Sequence, residues 1–464
     1  MNYKKTLAIA LLTGIVGMNV LPAYSAPFFI SKAGKKTEKN TVIKSQVTEN
    51  KIEYVNMDWW KSFNDEYLDQ YIAKAIQNNN DLKIATLKVE QYNQMVKLQF
   101  ANELPTAMVG FSPNIAKMQG STSSSGLYSF PLVVNYEADI FLKNHDKTKS
   151  AKKTYEVSKL DERAAYISIA SAVGTTYFNV VKLDKMIDVQ KQIIASRKQI
   201  YELMKKRNEQ GITSAADTLK ANKAYVASMT DMIELKKSRT VMLDKLAVLV
   251  GDSPNNISQM KRTPYNELVY KTSVPKSISS EIIVQRPDYL SAEKQVEKAG
   301  LDVKIARKEF LPSFNILGLM FFNATTMSKT FNWSNLVAAF GGSAMLPFFT
   351  GGARFANLRI KKNVYEQVLH NYLQTNLVAI QEVNDALSTL KLDNQKYESN
   401  VAQYNMEQKD YAYNTSKYKE GIISKLDLIQ HKENLLVMEK LVAGDNIDCA
   451  IDSIGLYKSV GSKL

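Results

Sequence analysis

Two long stretches of the chain carry apolar residues at three- and four-residue spacing among mostly polar neighbours. Residues 353–420 contain neither glycine nor proline, and residues 146–210 contain only one glycine, Gly174. At 1.5 Å per residue, a helix of about 65 residues spans roughly 100 Å. The narrow apolar stripe, which includes Val364 and Val368, is typical of long helices packed side by side in coiled-coil fashion.

Each predicted long helix ends at a glycine, Gly211 or Gly421, a residue that readily adopts the left-handed conformation found at helix ends. Three residues further on, Ser214 and Ser424 are predicted to cap a following helix, because serine accepts a hydrogen bond from its first free amides. The pattern therefore predicts, twice, two antiparallel helical rods joined by a tight turn.

A shorter helix of about 35 residues is predicted before each of the two non-helical stretches. These helices lie near residues 65–103 and 281–311, and each ends at a Leu-Pro pair. Proline lacks an amide hydrogen and keeps the residue before it out of helical geometry.

The non-helical stretches 105–141 and 312–349 are each long enough for two strands of about ten residues and a turn. The first stretch alternates between apolar and polar residues, which is typical of a barrel strand between lipid and water. In the second stretch, "ILGLMFF" is apolar on both faces. Four strands leave two open edges that a membrane does not tolerate, so closure by further copies of the chain is predicted. A soluble β-sandwich uses the same alternation. One face carries Tyr128, Phe130, Leu132, Val134 and Tyr136, and the other carries Ser129, Asn135 and Glu137.

The order of predicted elements occurs twice because the sequence itself repeats. Residues 79–111 align with residues 286–318 at an offset of 207, and residues 209–219 align with 419–429 at an offset of 210. A period of this length indicates a duplicated domain rather than a solenoid repeat. The predicted organisation is a signal peptide (1–25), an N-terminal linker or equatorial segment (26–60), a first repeat (61–250), an inter-repeat equatorial segment (251–280) and a second repeat (281–460).

The first residues are typical of an export signal. Lys4 and Lys5 precede an apolar run, and Ala23-Tyr24-Ser25 supplies the small residues that signal peptidase requires, so cleavage after Ser25 or Ala26 is predicted. The alternative, a membrane anchor, is disfavoured because the apolar run is about 14 residues and a spanning helix requires roughly 20.

Composition excludes several other classes of protein. The 464 residues are 45 % hydrophobic and carry a net charge of +14, and the single cysteine, Cys449, permits neither a disulfide within the chain nor a cysteine metal cluster. The predicted cleavage site has no cysteine for lipid attachment. A basic exported protein is expected to contact anionic envelope surfaces, and no nucleic-acid-binding motif is present.

The sequence shows no catalytic pattern. The three histidines, His145, His370 and His431, are far apart, and none has a second histidine or cysteine at metal-ligand spacing. We therefore predict no catalytic, metal or cofactor site and no enzyme activity.

Several motifs give the chain a resemblance to a known family. "DWWKSFNDEYLDQYIAKAI" (58–76), "FTGGARFANLRIKK" (349–362) and "YKEGIISKLDLIQHKENLL" (418–436) are the matching pieces, together with Arg286-Pro287-Asp288 and the later Leu311-Pro312. Over residues 50 to 460 the chain resembles the TolC-like outer-membrane channel proteins of Gram-negative tripartite efflux and secretion systems. Among them it is most similar to the outer-membrane factors of resistance-nodulation-division pumps.

The resemblance implies an α+β membrane protein of the Gram-negative outer membrane with a large periplasmic extension. In such a homotrimer each chain contributes four strands to a 12-stranded transmembrane β-barrel, which continues as an α-helical coiled-coil tunnel. The implied partners are outer-membrane lipid, a periplasmic adaptor protein and an inner-membrane pump. The implied function is a passive exit duct for drugs, dyes, detergents or metal ions. Alternatives are a duct for type I protein secretion and a periplasmic coiled-coil scaffold outside any membrane.

The resemblance also implies a periplasmic iris lined by aspartates just after the helix-turn glycines. Asp427 occupies such a position, six residues past Gly421, and Asp217 is its counterpart after Gly211. Gln430 stands where some members have a second aspartate. Gly211, Gly421 and Ser424 are expected at the tips that contact the adaptor. The alternative for both aspartates is a solvated residue early in a helix, favoured there by the helix dipole.

Overall fold

The computed structural model describes residues 58–116, 125–255, 260–268, 274–275, 278 and 283–461. The predicted signal peptide and most of the N-terminal linker lie outside these ranges, as do parts of the inter-repeat segment.

Seven long helices and five strands form the described part of the chain. The helices are α1 (Glu66–Asn78), α2 (Asn80–Ala101), α3 (Lys143–Glu209), α4 (Ala215–Leu249), α5 (Pro287–Lys308), α6 (Ala353–Lys419) and α7 (Lys425–Val460). The strands are β1 (Thr106–Val109), β2 (Ser112–Ala116), β3 (Ser125–Ala138), β4 (Ser313–Ala324) and β5 (Leu336–Met345). Helices α3 and α6 have 67 residues each, as long as the apolar pattern predicts.

The single helix predicted near residues 65–103 is wrong, because the structure has two helices that meet at Asn79. Asn79 has an extended backbone, its side-chain oxygen caps α2 by accepting from the Leu82 amide, and its side-chain nitrogen donates to the Leu249 carbonyl at 2.9 Å. The break is therefore made by a contact with a helix end far along the chain. Likewise, the helix predicted over 281–311 begins only at Pro287, a residue suited to the first helical position.

Helix α3 lies at the centre of the helical layer and packs against other long helices along its length. Its first half packs against α2 and α5, and its second half packs against α4 and α7. Ser150 on α3 donates to Asp302 on α5 at 2.7 Å, and Arg197 lower on α3 donates to Glu433 on α7 at 2.8 Å. Helix α6 packs on α5 and α7, so the layer runs from α2 and α4, through α3, to α5 and α7, and ends at α6.

A buried core lies at the middle of α3, where the two halves of the layer meet. Trp59 stacks on Tyr457 at 5.7 Å between ring centroids and lies so close to Gly174 that a Cβ there would be 2.9 Å from the indole. Helix α3 contains a stretch apolar enough to span a membrane, but 61 % of that stretch is buried inside the protein. Its apolarity is that of a core helix. Thr263, in the inter-repeat segment, also contacts this core through the Tyr177 hydroxyl.

The strands form one antiparallel sheet in the order β1, β3, β4, β5, with β2 also paired to β3. Strands β1 and β2 keep one register against β3, because Val109 faces Leu132 and Ser112 faces Ser129. They are one edge strand interrupted where Gly110 lies opposite Pro131, which has no amide hydrogen to donate.

Candidate functional site

The two helix turns at the far end of the rods have the same construction. Gly211 and Gly421 have φ angles of 72° and 75°. The amide after each glycine donates to a carbonyl five residues back, from Ile212 to Arg207 and from Ile422 to Lys417, both at 2.8 Å. This pattern satisfies the last carbonyls of each long helix, as a left-handed glycine permits.

The predicted iris aspartates lie at equivalent places, each in the first turn of the helix after the glycine. Asp217 and Asp427 are exposed, and each amide donates to the capping serine, Ser214 or Ser424. Hydrogen bonds from the Ser424 hydroxyl and amide, followed by the charges of His431 and Arg207, lower the pKa of Asp427. The carboxylate is therefore held in its charged form at the tip.

Gln430, the third residue predicted for the iris, is exposed on α7 one turn beyond Asp427. Its side-chain nitrogen is 3.5 Å from the Asn434 oxygen on the same helix.

The Arg-Pro-Asp motif is a structural clamp at the start of α5. The buried Arg286 guanidinium donates to Asp288 at 2.7 Å, to Glu382 on α6 at 2.6 Å and to the Ser459 carbonyl at the end of α7. Burial acts to raise the pKa of Asp288, but the hydrogen bond and charge of Arg286, together with backbone hydrogen bonds, outweigh it and the pKa is lowered. Pro312 precedes β4 at the other end of α5.

One face of the sheet, which we name the aromatic face, is apolar along its whole height. Phe130 lies 4.6 Å from Phe111 and 4.6 Å from Phe331, whose loop folds back onto this face. At the end near the helices, Phe314 lies 6.2 Å from Phe141. Aliphatic side chains fill the middle of the face. They include Leu132, Val134, Met320 and Ala338, which the strand register brings to one side.

The opposite face, the hollow face, borders a cavity of about 840 Å³ near the helices. Cross-strand pairing aligns Glu137, Asn315 and Ser343 in one row, so this part of the face is polar. Gln99 on α2 and Lys147 on α3 line the same cavity. The hollow face therefore continues onto a polar surface of the helical layer.

In the part of the chain that the structure describes, the sheet and the helical layer are open at the same two sides. β1 and β2 form one edge of the sheet and follow directly from α2, and β5 forms the other edge and leads into α6. Large apolar side chains are exposed near both edges, with Val109 79 % exposed on one side and Phe340 81 % and Phe348 97 % exposed on the other.

A family model described as outer membrane efflux protein matches residues 71–252 and 278–462, one match for each half of the chain. The chain belongs to the outer membrane efflux protein family. This confirms the resemblance to TolC-like channels and the outer-membrane location that the motifs implied. Efflux transport across the outer membrane is the general function of such a chain.

Named relatives of this efflux protein are similar over nearly its whole length. An antibiotic efflux pump outer membrane protein, ArpC of Pseudomonas putida, is 24 % identical and covers 99 % of this chain and 95 % of its own length. A cation efflux system protein, CusC of Escherichia coli K12, is 23 % identical, with coverage of 98 % and 99 %. The crystal structure of the CmeC outer membrane channel of Campylobacter jejuni has a TM-score of 0.80 and 26 % identity, with coverage of 87 % and 88 %.

Sequence reasoning missed the links that hold the rods of this efflux protein together. Lys182 and Lys185 on α3 form ion pairs with Asp448 and Glu439 on α7, each at 2.7 Å. Their spacing fits antiparallel helices, but single lysines and carboxylates on polar helices carry no signal of which partner they meet. In the part of the chain that the structure describes, no group of three or more His, Cys, Asp or Glu residues is arranged to hold a metal.

Proposed function

We propose that three copies of this chain form one outer-membrane duct, through which an inner-membrane pump expels small toxic compounds by way of a periplasmic adaptor. This proposal is supported chiefly by the position of the open edges of the sheet, which coincide with the open sides of the helical layer. Among the described residues, a sheet with two unpaired edges continues into a helical layer with unpaired sides in the same places.

Closure of the sheet follows from the cost of an open edge in lipid. Unpaired amides and carbonyls cost several kcal/mol each in hydrocarbon, so a membrane sheet closes into a barrel. Four strands are too few to enclose a lumen, whereas 12 strands, four from each of three copies, exceed the eight whose interior side chains alone can fill. The β5 edge of one copy pairs with the β1–β2 edge of the next, and the exposed apolar residues near both edges become buried.

The two faces of the sheet suit lipid and water respectively. Aromatic residues at both ends of an aliphatic band are typical of the lipid-facing side of a barrel. On the aromatic face, Phe130 with Phe331 and Phe314 with Phe141 form these two girdles. The hollow face, with its row of Glu137, Asn315 and Ser343, then lines the lumen and leads into the helical tunnel.

The duct is passive, and its opening is at the tips of the rods. The Asp217 and Asp427 carboxylates lie beside the helix turns, so three copies bring six negative charges around one axis. Such a ring favours cations and holds back anions. The glycine turns with Ser424 form the surface that the adaptor contacts, and energy comes from the pump.

The first test combines fractionation with gene deletion. We expect an outer-membrane oligomer that requires detergent, is dissociated by heating in dodecyl sulfate and has three times the mass of the mature chain. We also expect the deletion strain to be sensitised to dyes, detergents, antibiotics or metal ions. A single-copy particle, or release by osmotic shock alone, would indicate a periplasmic scaffold. Loss of a secreted protein without any change in sensitivity would indicate an export duct.

A further inference from the structure

The hollow face has an apolar zone between its polar ends. Strand register aligns Met108, Val133, Leu319 and Ala339 in one cross-strand row. The next row, one step towards the outer end, contains Gly110, Pro131, Phe321 and Val337. We name these eight residues the apolar belt.

Rows that contain polar side chains bound the apolar belt on both sides. Towards the helices the next row contains Thr106, Asn135, Leu317 and Gly341, in which Leu317 is the one large apolar side chain, and beyond it lies the row of Glu137, Asn315 and Ser343. Towards the outer end, Ser129 faces Asn323. The belt crosses all four strands without a side chain that donates or accepts a hydrogen bond, and its height is about 7 Å, two residues of a strand.

The belt explains why "ILGLMFF" is apolar on both faces. Met320 and Phe322 lie on the aromatic face, whereas Leu317, Leu319 and Phe321 lie on the hollow face, the last two in the belt beside Val133 and Pro131. Lumen-facing positions of a barrel are usually polar. Threonine and valine are both enriched in β-strands, so a strand can form with either residue. Apolar side chains at these lumen positions are therefore not required for the strands to form.

We propose that the apolar belt is a specificity-determining surface, along which apolar and amphipathic organic compounds pass through the barrel. This inference rests on the proposed function, because it requires the hollow face to line the lumen. In a trimer the belt is a ring of 24 residues, eight from each copy. Apolar groups gain by leaving water for such a surface, and a belt only two residues high binds weakly enough to release them. A hydrated metal ion gains nothing from it.

The test makes the belt polar without changing strand propensity or shape greatly. The variant combines Val133→Thr, Leu319→Thr and Val337→Thr, one change in each of β3, β4 and β5. The matched control combines Asn135→Thr, Asn315→Thr and Ser343→Thr on the same strands in the polar rows. Both are produced in a strain that lacks the wild-type gene, and equal amounts of heat-dissociable oligomer are verified in the outer membrane.

The probes are alkyltrimethylammonium ions with short, medium and long chains, which share one head group and differ only in apolar surface. We expect the belt variant to lose resistance increasingly with chain length. The longest chain should show a loss of about fourfold, the factor for losing contact with one methylene group. The control variant should keep wild-type resistance to all three ions.

Two other outcomes would overturn the inference. A belt variant with wild-type resistance, or with the same loss at every chain length, refutes the belt while leaving the duct in place. A gene deletion that changes resistance to none of the ions counts against efflux of these compounds and against the belt together. If the triple variant fails to assemble, the single substitution Val337→Thr is tested instead. We expect it to lose less resistance, with the loss again increasing with chain length.

Discussion

The Ser424 hydroxyl and the Asp427 carboxylate bind each other across the first turn of α7, with 2.8 Å between Ser424 Oγ and Asp427 Oδ2. The Ser424 amide donates to the same carboxylate oxygen at 3.1 Å, and the Asp427 amide donates to Ser424 Oγ at 3.2 Å. This reciprocal cap fixes the position of the carboxylate at the tip. Asp427 therefore has a structural role in addition to any effect of its charge on the iris.

Two substitutions separate these roles. Asp427→Asn keeps a hydrogen-bonding side chain but removes the charge, so we expect a lower preference for cations in single-channel recordings and little loss of stability. Ser424→Ala removes the cap but keeps the charge, so we expect a loss of about 1 kcal/mol in the stability of the turn and unchanged ion preference. If Asp427→Asn leaves ion preference unchanged, Asp427 is a capping residue only, and the iris assignment fails.

Leu132 and Val133 are neighbours on β3 and face opposite sides of the sheet, so they offer a matched pair for the lipid and lumen assignments. Leu132→Arg places a charge in lipid at a cost of about 2–4 kcal/mol in each copy, whereas Val133→Arg places it in water. We expect Leu132→Arg to abolish the heat-dissociable oligomer and Val133→Arg to retain it. The reverse result would exchange the two faces, and equal results would contradict the barrel.

The alternation of β3 could be read from sequence because a strand places successive side chains on opposite faces, and the observed register keeps that division. The apolar belt could not, because it depends on which residues of four strands lie side by side. The break at Asn79 was missed for a similar reason. Asn79 contacts Leu249, 170 positions away, and no local pattern reports such a contact.

Arg286 connects three helices, and we expect its removal to affect the stability of the helical layer. Arg286→Met leaves Asp288 and the Ser459 carbonyl without their partner, and losing the hydrogen bonds of the buried guanidinium should cost about 1–3 kcal/mol, because Asp288 stays partly exposed to water. Because the pKa of Asp288 is held below its usual value, the ion pair stabilises the folded protein at neutral pH and is lost only as the pH falls below about 4.

Thermal unfolding followed by the helical circular dichroism signal at pH 7 measures this loss. The matched control is Glu382→Gln, which removes only the exposed carboxylate from the same guanidinium and should cost about 1 kcal/mol or less. Equal midpoints for Arg286→Met and the wild type would show that the clamp does not contribute to stability.

Asp452 on α7 is expected to make the stability of the helical layer depend on pH. Burial, the hydrogen bond with Asp393 on α6 and the charges of Asp393 and Asp448 raise the pKa of Asp452 to about 7. In the unfolded chain this carboxyl ionises near pH 4, so between about pH 4 and pH 7 the unfolded state binds fewer protons and the stability of the folded state falls as the pH rises.

The substitution Asp452→Asn keeps a side chain that binds Asp393 and removes the charge. At pH 8 we expect it to stabilise the protein by roughly 1–2 kcal/mol, less than the full pKa shift implies because solvent screens a half-buried group. At pH 4 we expect almost no effect. The control is Asp445→Asn, because Asp445 is paired with Lys396 at 2.7 Å and its substitution should destabilise the protein at pH 8. Thermal midpoints of the purified oligomer at both pH values decide between these results, and a stabilisation of equal size at pH 4 and pH 8 would rule out ionisation of Asp452 as the cause.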